Sequence, residues 1–289
     1  MVLPVEIVAT IPPLGFIASE LTADLPDDAV SVTAVLDGAV SPHGFEPSPS
    51  DMRSLNAADL VLCNGMGLDD WAMRAGRGGA VVVSFADVAG ISGGHHHSGH
   101  SGDAASVHSH CDHSHGDDPH LWLDVEQVGR FSDELARVIA GRFESAGDPE
   151  SAETVRAAAY RMRLIADDVD GRFEAALAKH EGGSVITFHD VLSRITDRYG
   201  LEVAAVLRPI ETLEPAPGDL RQAVEAIDEH GITAVFIEPQ FSPAAAEQIA
   251  DRTGVQLVTM DPLGVEAGSW EELMDGLLAA LVDGLSRDK

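Results

Sequence analysis

SVITFHD, residues 184–190, sets Val185, Ile186 and Phe188 in a short apolar run that closes on His189 and Asp190. A run of this length and density fits a strand covered on both faces, as in parallel sheets. Downstream, VAAVLRPI (203–210), ITAVFIEP (232–239) and VQLVTMD (255–261) have the same character and alternate with segments of helical period. Their helices carry stop and start signals. Gly231 and Gly254 fit helix ends, Ser242 with Pro243 fits N-cap and N1, and Ser269 with Glu272 makes a capping box for the last helix.

The first half repeats this grammar with VEIVATI (5–11), VSVTAVL (30–36), LVLCNG (60–65) and AVVVSFA (80–86), and Leu14, Ile17, Leu21 and Leu25 share one helical face. Between the halves lie helical segments at about 124–144 and 151–180, separated by Gly147-Asp148-Pro149. In the second segment Val155, Met162, Ile165, Val169 and Phe173 keep one stripe apolar. The fold expected is α/β: two lobes, each a mostly parallel sheet flanked by helices, joined by a long rigid helix. The divisions are residues 1–149, 150–180 and 181–289; a plain packed helix of one lobe is the alternative for the middle piece.

The 289 residues carry a formal charge of −30, and Lys179 and Lys289 are the only lysines. That balance argues against a nucleic-acid partner, whose phosphates need basic patches. It fits either a heavily hydrated acidic surface adapted to salt, the preferred reading because the acid is spread along the chain, or a field that gathers cations. Cys63 and Cys111 are read as free thiols. No apolar run is long enough to span a bilayer. The start MVLPVEIVATIPPLG lacks a basic stretch followed by an apolar one. An export signal trimmed away ahead of Met1 is compatible with that start.

Residues 93–118, GGHHHSGHSGDAASVHSHCDHSHGDD, differ from everything around them: eight histidines among Gly and Ser, with almost no large apolar side chain. Such an insertion cannot bury enough surface to order itself. It is read as a weak zinc collector, against the alternative of a dispensable solvated loop. Of the other histidines, His180 and His230 stand at helix C-termini, where capping is the stronger reading.

His43 in SPHGFEPSPSDM and His120 in DDPHLWLD are framed by prolines that limit the backbone, and His189 and Asp261 close strands of the second half. In open α/β sheets ligands bind beyond the carboxyl ends of the strands, so His189 and Asp261 face a common cleft. Taken singly, each could instead be a solvated loop residue, a cap or an ion-pair partner.

Together, PHGFEPSPSD, DPHLWLD, TFHD, IETLEPAPGDL, EPQFS and MDPLG resemble, in order, the motifs of the metal-binding proteins of zinc and manganese ABC importers. The resemblance covers essentially the whole chain, including the His-rich insertion typical of zinc members. It implies four metal ligands: His43, His120, His189 and Asp261. It also implies an extracytoplasmic protein, periplasmic or lipid-anchored, delivering metal to a membrane permease, and a monomer is expected. Where the family often continues HDAFGYF, this chain reads HDVLSRI, so the wall beside His189 differs.

Three neutral imidazoles and one carboxylate suit tetrahedral Zn²⁺, whereas manganese prefers more oxygen ligands. One high-affinity zinc site is therefore expected, with manganese or ferrous iron second. Glu46, Glu211 and Glu238 remain, one of them suited to orient a ligand histidine or to pair with Arg208. The long connecting helix predicts a small tilt on metal binding rather than wide closure. A zinc hydrolase is the rival from another class, but no HExxH-like motif is present, so no enzymatic activity is expected; a soluble metal buffer is a third reading.

Overall fold

The computed structural model describes residues 4–91, 118–208 and 215–286. The first half contains strands β1 (Val5–Ala9), β2 (Val30–Ala34), β3 (Leu60–Cys63) and β4 (Val81–Ser84) with helices α1 (Pro12–Thr22), α2 (Pro49–Ala57) and α3 (Phe85–Val88). Two long helices follow, α4 (Val125–Ser145) and α5 (Pro149–Leu177). The second half contains β5 (Ser184–Thr187), β6 (Glu202–Val206), β7 (Ala234–Ile237) and β8 (Gln256–Thr259) with α6 (Ser193–Tyr199), α7 (Pro217–His230), α8 (Ala244–Thr253) and α9 (Trp270–Leu285).

Each half is a four-stranded parallel sheet of the same order, β2-β1-β3-β4 and β6-β5-β7-β8. In such an order the chain leaves the central strand in opposite directions, and a crevice opens beyond the strand ends there. The crevices fall between β1 and β3 and between β5 and β7.

The helices start where their caps dictate. Ser48 and Asp51 exchange bonds, Oγ accepting from Asp51 N at 3.3 Å and Oδ2 from Ser48 N at 2.7 Å. Asp124 Oδ1 accepts from the amides of Glu126 and Gln127 to open α4, and Asp148 caps α5 ahead of Pro149. Gly200, Gly231 and Gly254 end α6, α7 and α8 in the left-handed conformation, where a Cβ would be strained. At α8 the start differs by one residue from the sequence expectation: Pro243 occupies the N-cap, and Ser242 Oγ makes only a 3.4 Å contact with Ala244 N. At α9 Ser269 Oγ caps Glu272 N as expected, but the Glu272 carboxylate reaches Gly268 N instead of Ser269 N.

At 29 residues and about 1.5 Å per residue, α5 spans about 44 Å between the sheets. Val155, Met162, Val169 and Phe173 are buried on its inner face, with Ile165 half-buried at the margin. The helix packs on α1 and α4 from the first half and on α9 from the second, and one apolar core runs through all of them. Each fully buried side chain of this kind contributes about 1.5–3 kcal/mol. Ion pairs lie on the outer rim: Arg163 reaches Asp133 of α4, and Arg172 reaches Glu271 and Asp275 of α9, each at 2.7 Å. Closer to the crevices, Trp122 Nε1 donates to Pro262 O and Trp270 Nε1 to Trp122 O, both at 2.8 Å, so the two halves meet through buried indoles.

Candidate metal centre

Three of the four expected ligands converge. His43 comes from the loop between β2 and α2, where Pro42 O accepts from Phe45 N and Gly44 turns through φ 75°. His120 opens a short 3₁₀ turn, Leu121–Leu123, ahead of α4. His189 lies two residues past the end of β5, at the crevice of the second sheet. His120 Nε2 is 3.3 Å from His43 Nε2 and 3.2 Å from His189 Nε2. His120 and His189 are buried and His43 is half-buried.

The far side of each buried ring is held by a carboxylate. Asp118 Oδ1 lies 2.7 Å from His120 Nδ1 and also accepts from His120 N at 2.9 Å. Glu238 Oε1 lies 2.5 Å from His189 Nδ1, one residue past the end of β7. A carboxylate in this position can accept from a proton on Nδ1, and a ring in that tautomer turns an Nε2 lone pair inward. Two such lone pairs 3.2 Å apart repel, and a metal ion between them turns that repulsion into coordination. Burial works against ionisation of Asp118, but the facing His120 and Arg194 outweigh it and hold its carboxyl below the usual range.

The spacing fits a metal ion. With zinc–nitrogen bonds of about 2.0–2.1 Å, tetrahedral ligand atoms stand about 3.3 Å apart. The three rings line a small pocket together with Trp122, Glu238, Gln240, Phe241 and Leu263, with room of ≈ 10 Å³, enough for one ion or water.

Beneath His120, the first sheet supplies a buried polar anchor. Asn64, just past β3, donates from Nδ2 to Pro119 O at 2.7 Å. Asp69 in turn accepts from Thr10 Oγ1 at 2.5 Å, Asn64 N at 2.7 Å and Gly65 N at 2.8 Å. Burial pushes the Asp69 carboxyl up, and these donors pull it back.

Asp261 stands outside the histidine cluster. Its Oδ1 accepts from Leu263 N at 3.1 Å and from Gln240 Nε2 at 3.0 Å, and its Oδ2 from Val265 N at 2.5 Å. The carboxylate thus closes its own loop, while Pro262, Leu263 and Gln240 line the site. Of the other acids weighed from sequence, Glu46 is exposed, Glu211 lies outside the described residues, and Glu238 orients His189. Arg208 stacks on the Phe241 ring at 4.7 Å, and that ring packs against His189. His180 Nε2 lies 3.4 Å from Ser286 Oγ and His230 Nδ1 3.1 Å from Ser184 Oγ, at the opposite end of β5 from His189. Residues 93–117 of the His-rich insertion, Cys111 included, lie outside the described residues; Cys63 is a buried free thiol.

Sequence reasoning missed Asp118 and Arg194. A carboxylate two residues before a candidate ligand was a usable signal for the first; nothing local pointed to the second.

Residues 7–284 match the family model described as ZnuA, zinc-uptake complex component A, periplasmic. The chain is 27% identical to the high-affinity zinc uptake system protein ZnuA of Paracoccus denitrificans, covering 98% of this chain and 92% of that protein. It is 24% identical to the manganese-binding lipoprotein MntA of Halalkalibacterium halodurans, covering 94% and 86%. A crystal structure of ZnuA superposes with a TM-score of 0.76 at 22% identity, covering 98% of this chain and 100% of the other. The laminin-binding protein Lmb of Streptococcus agalactiae gives a TM-score of 0.77 at 21% identity, covering 98% and 100%.

Proposed function

This chain belongs to the ZnuA family of periplasmic zinc-uptake components, and on that premise we propose that it captures Zn²⁺ outside the cytoplasm and delivers it to an ABC import permease. The observation that carries this is the meeting of three imidazole Nε2 atoms, with 3.2 and 3.3 Å contacts at His120, backed on two rings by carboxylates. Imidazoles held in this way are ready zinc ligands with little left to reorganise.

In this proposal His43, His120 and His189 hold the ion, with His43 and His120 from a first lobe (1–149), His189 from a second (181–289) and the helix of 150–180 between them. Asp261 is the fourth ligand, and its carboxylate exchanges the amides of Leu263 and Val265 for the ion on loading. Zinc is cargo here, so a closed set of protein ligands is expected and no attacking water is activated. The family's description as a zinc-uptake component supports transport over hydrolysis. Manganese is the second reading, favoured by the manganese-binding relative; the nitrogen-rich set argues for zinc.

An extracytoplasmic location accords with the periplasmic family description and the lipoprotein relative, and among the described residues no helix is long and apolar enough to cross a membrane. We take the protein to act as a monomer and the His-rich insertion as a weak collector of further zinc. Competition titrations with Zn²⁺ and Mn²⁺ on wild type and His189→Ala test the assignment. One tight zinc site, weaker manganese and a large loss on substitution are expected; equal behaviour of the two proteins toward both metals contradicts it.

A further inference from the structure

We propose that Arg194 is a positioning residue of this site: from the second half it grips the loop that carries His120 in the first, and so sets how long a bound ion stays. The inference rests on the three-histidine reading above.

Arg194 stands near the start of α6, five positions after His189, and its side chain is only 5% exposed. Its Nη2 donates to the backbone carbonyl of Asp118. Its Nε lies 3.4 Å from Asp118 Oδ2, an ion-pair contact without hydrogen-bond geometry, and its Nη1 lies 3.7 Å from Oδ2 of Asp124, the residue that caps α4. One guanidinium therefore holds the loop at its entry, by main chain and side chain, and faces the carboxylate at its exit. His120 lies between those two points.

Part of the grip reaches the ring through the Asp118 carboxylate. Asp118 turns Oδ2 toward Arg194 and Oδ1 toward both the amide and the ring Nδ1 of His120. A rotation of that carboxylate away from Arg194 also carries the acceptor away from the imidazole. The ring then loses the partner that aims its Nε2 at His43 and His189. Arginine suits this task because its planar fork serves several acceptors at fixed angles, whereas a lysine ammonium is a single point charge. Separating the halves at the site likewise requires Arg194 to leave Asp118, so the same contact resists opening. The neutral bonds through Trp122 and Trp270 end on Pro262 O and Trp122 O and do not touch Asp118.

The test uses the full chain and two readouts: zinc release into excess chelator by stopped flow, and the visible spectrum of the Co²⁺-loaded protein, which reports ligand geometry. Arg194→Met is expected to release zinc about tenfold faster or more, as for other lost partners of ligand groups, with a changed cobalt band. Arg194→Lys is expected to fall between Met and wild type. Arg198→Ala serves as the control: it removes a neighbouring arginine of α6 that pairs with Asp170 of α5 away from the site. That variant is expected to lose thermal stability while keeping the wild-type release rate and spectrum. Wild-type release and spectrum in Arg194→Met overturn the inference, as does faster release in Arg198→Ala in proportion to its lost stability. Should Arg194→Met not fold, a wild-type rate in Arg194→Lys overturns it. Failure of wild type to take up one Zn²⁺ or Co²⁺ is a separate result and refutes the underlying metal assignment.

Discussion

His189 Nδ1 and Glu238 Oε1 stand 2.5 Å apart with both side chains closed to solvent, at 4% and 2% exposure. The two residues follow neighbouring strands, β5 and β7, so the crevice of the second sheet itself builds the pair. The carboxylate fixes the ring's tautomer and direction before any ion arrives. Glu238→Gln keeps an acceptor but loses the charge, and is expected to weaken zinc binding about tenfold, while Glu238→Ala costs about a hundredfold. Competition titration against a chelator of known affinity checks both values.

Asp261 has two tasks in this account, one in each state. Asp261→Ala removes the acceptor for the amides of Leu263 and Val265 and for Gln240, so faster amide exchange across residues 261–265 is expected without metal. It is also expected to weaken zinc at least about tenfold, the usual scale for losing a group at a metal site. Unchanged affinity would assign the fourth position to water.

Acid stability has a local source in the second half. Arg198 bonds to both oxygens of Asp170, and Tyr199 adds a third contact, which together hold the Asp170 carboxyl below its usual range despite some burial. A depressed folded value means the contribution is present above the unfolded pKa of about 3.9 and is lost as pH falls through the folded one. Asp170→Asn is therefore expected to cost about 1 kcal/mol at pH 7, allowing for partial exposure, and close to nothing near pH 2. Urea unfolding at the two pH values measures the difference.

A formal charge of −30 with two lysines makes self-repulsion a term in folding. Shortening the Debye length from about 10 Å at 0.1 M salt to about 3 Å at 1 M screens that repulsion. Thermal unfolding without metal is expected to move up by several degrees between those concentrations. A melting temperature that falls with salt would place the dominant charge effect in the ion pairs instead.

The sequence already showed the strands, because doubly covered parallel strands are written as apolar runs such as LVLC and SVIT, and the caps, because Ser48, Asp148 and Gly231 act within a few residues. His189 was legible for the same reason: it ends a strand, and strand ends of such sheets form the crevice. Glu238 was legible only as one of three acids, since choosing it requires knowing that β5 and β7 are neighbours. Arg194 and Asp118 meet across 76 positions, and no local pattern encodes that contact. Asp261 shows the opposite limit, since its strand-end position pointed to the cleft while the nearby amides of Leu263 and Val265 claim its oxygens.

X-ray absorption at the zinc edge of the loaded protein reads which atoms surround the ion. Four light ligands at about 2.0–2.1 Å with the outer-shell pattern of three imidazoles are expected, and two imidazoles in His189→Ala. A shell of six oxygens, a sulfur ligand at about 2.3 Å, or an imidazole count indifferent to His189 would contradict it.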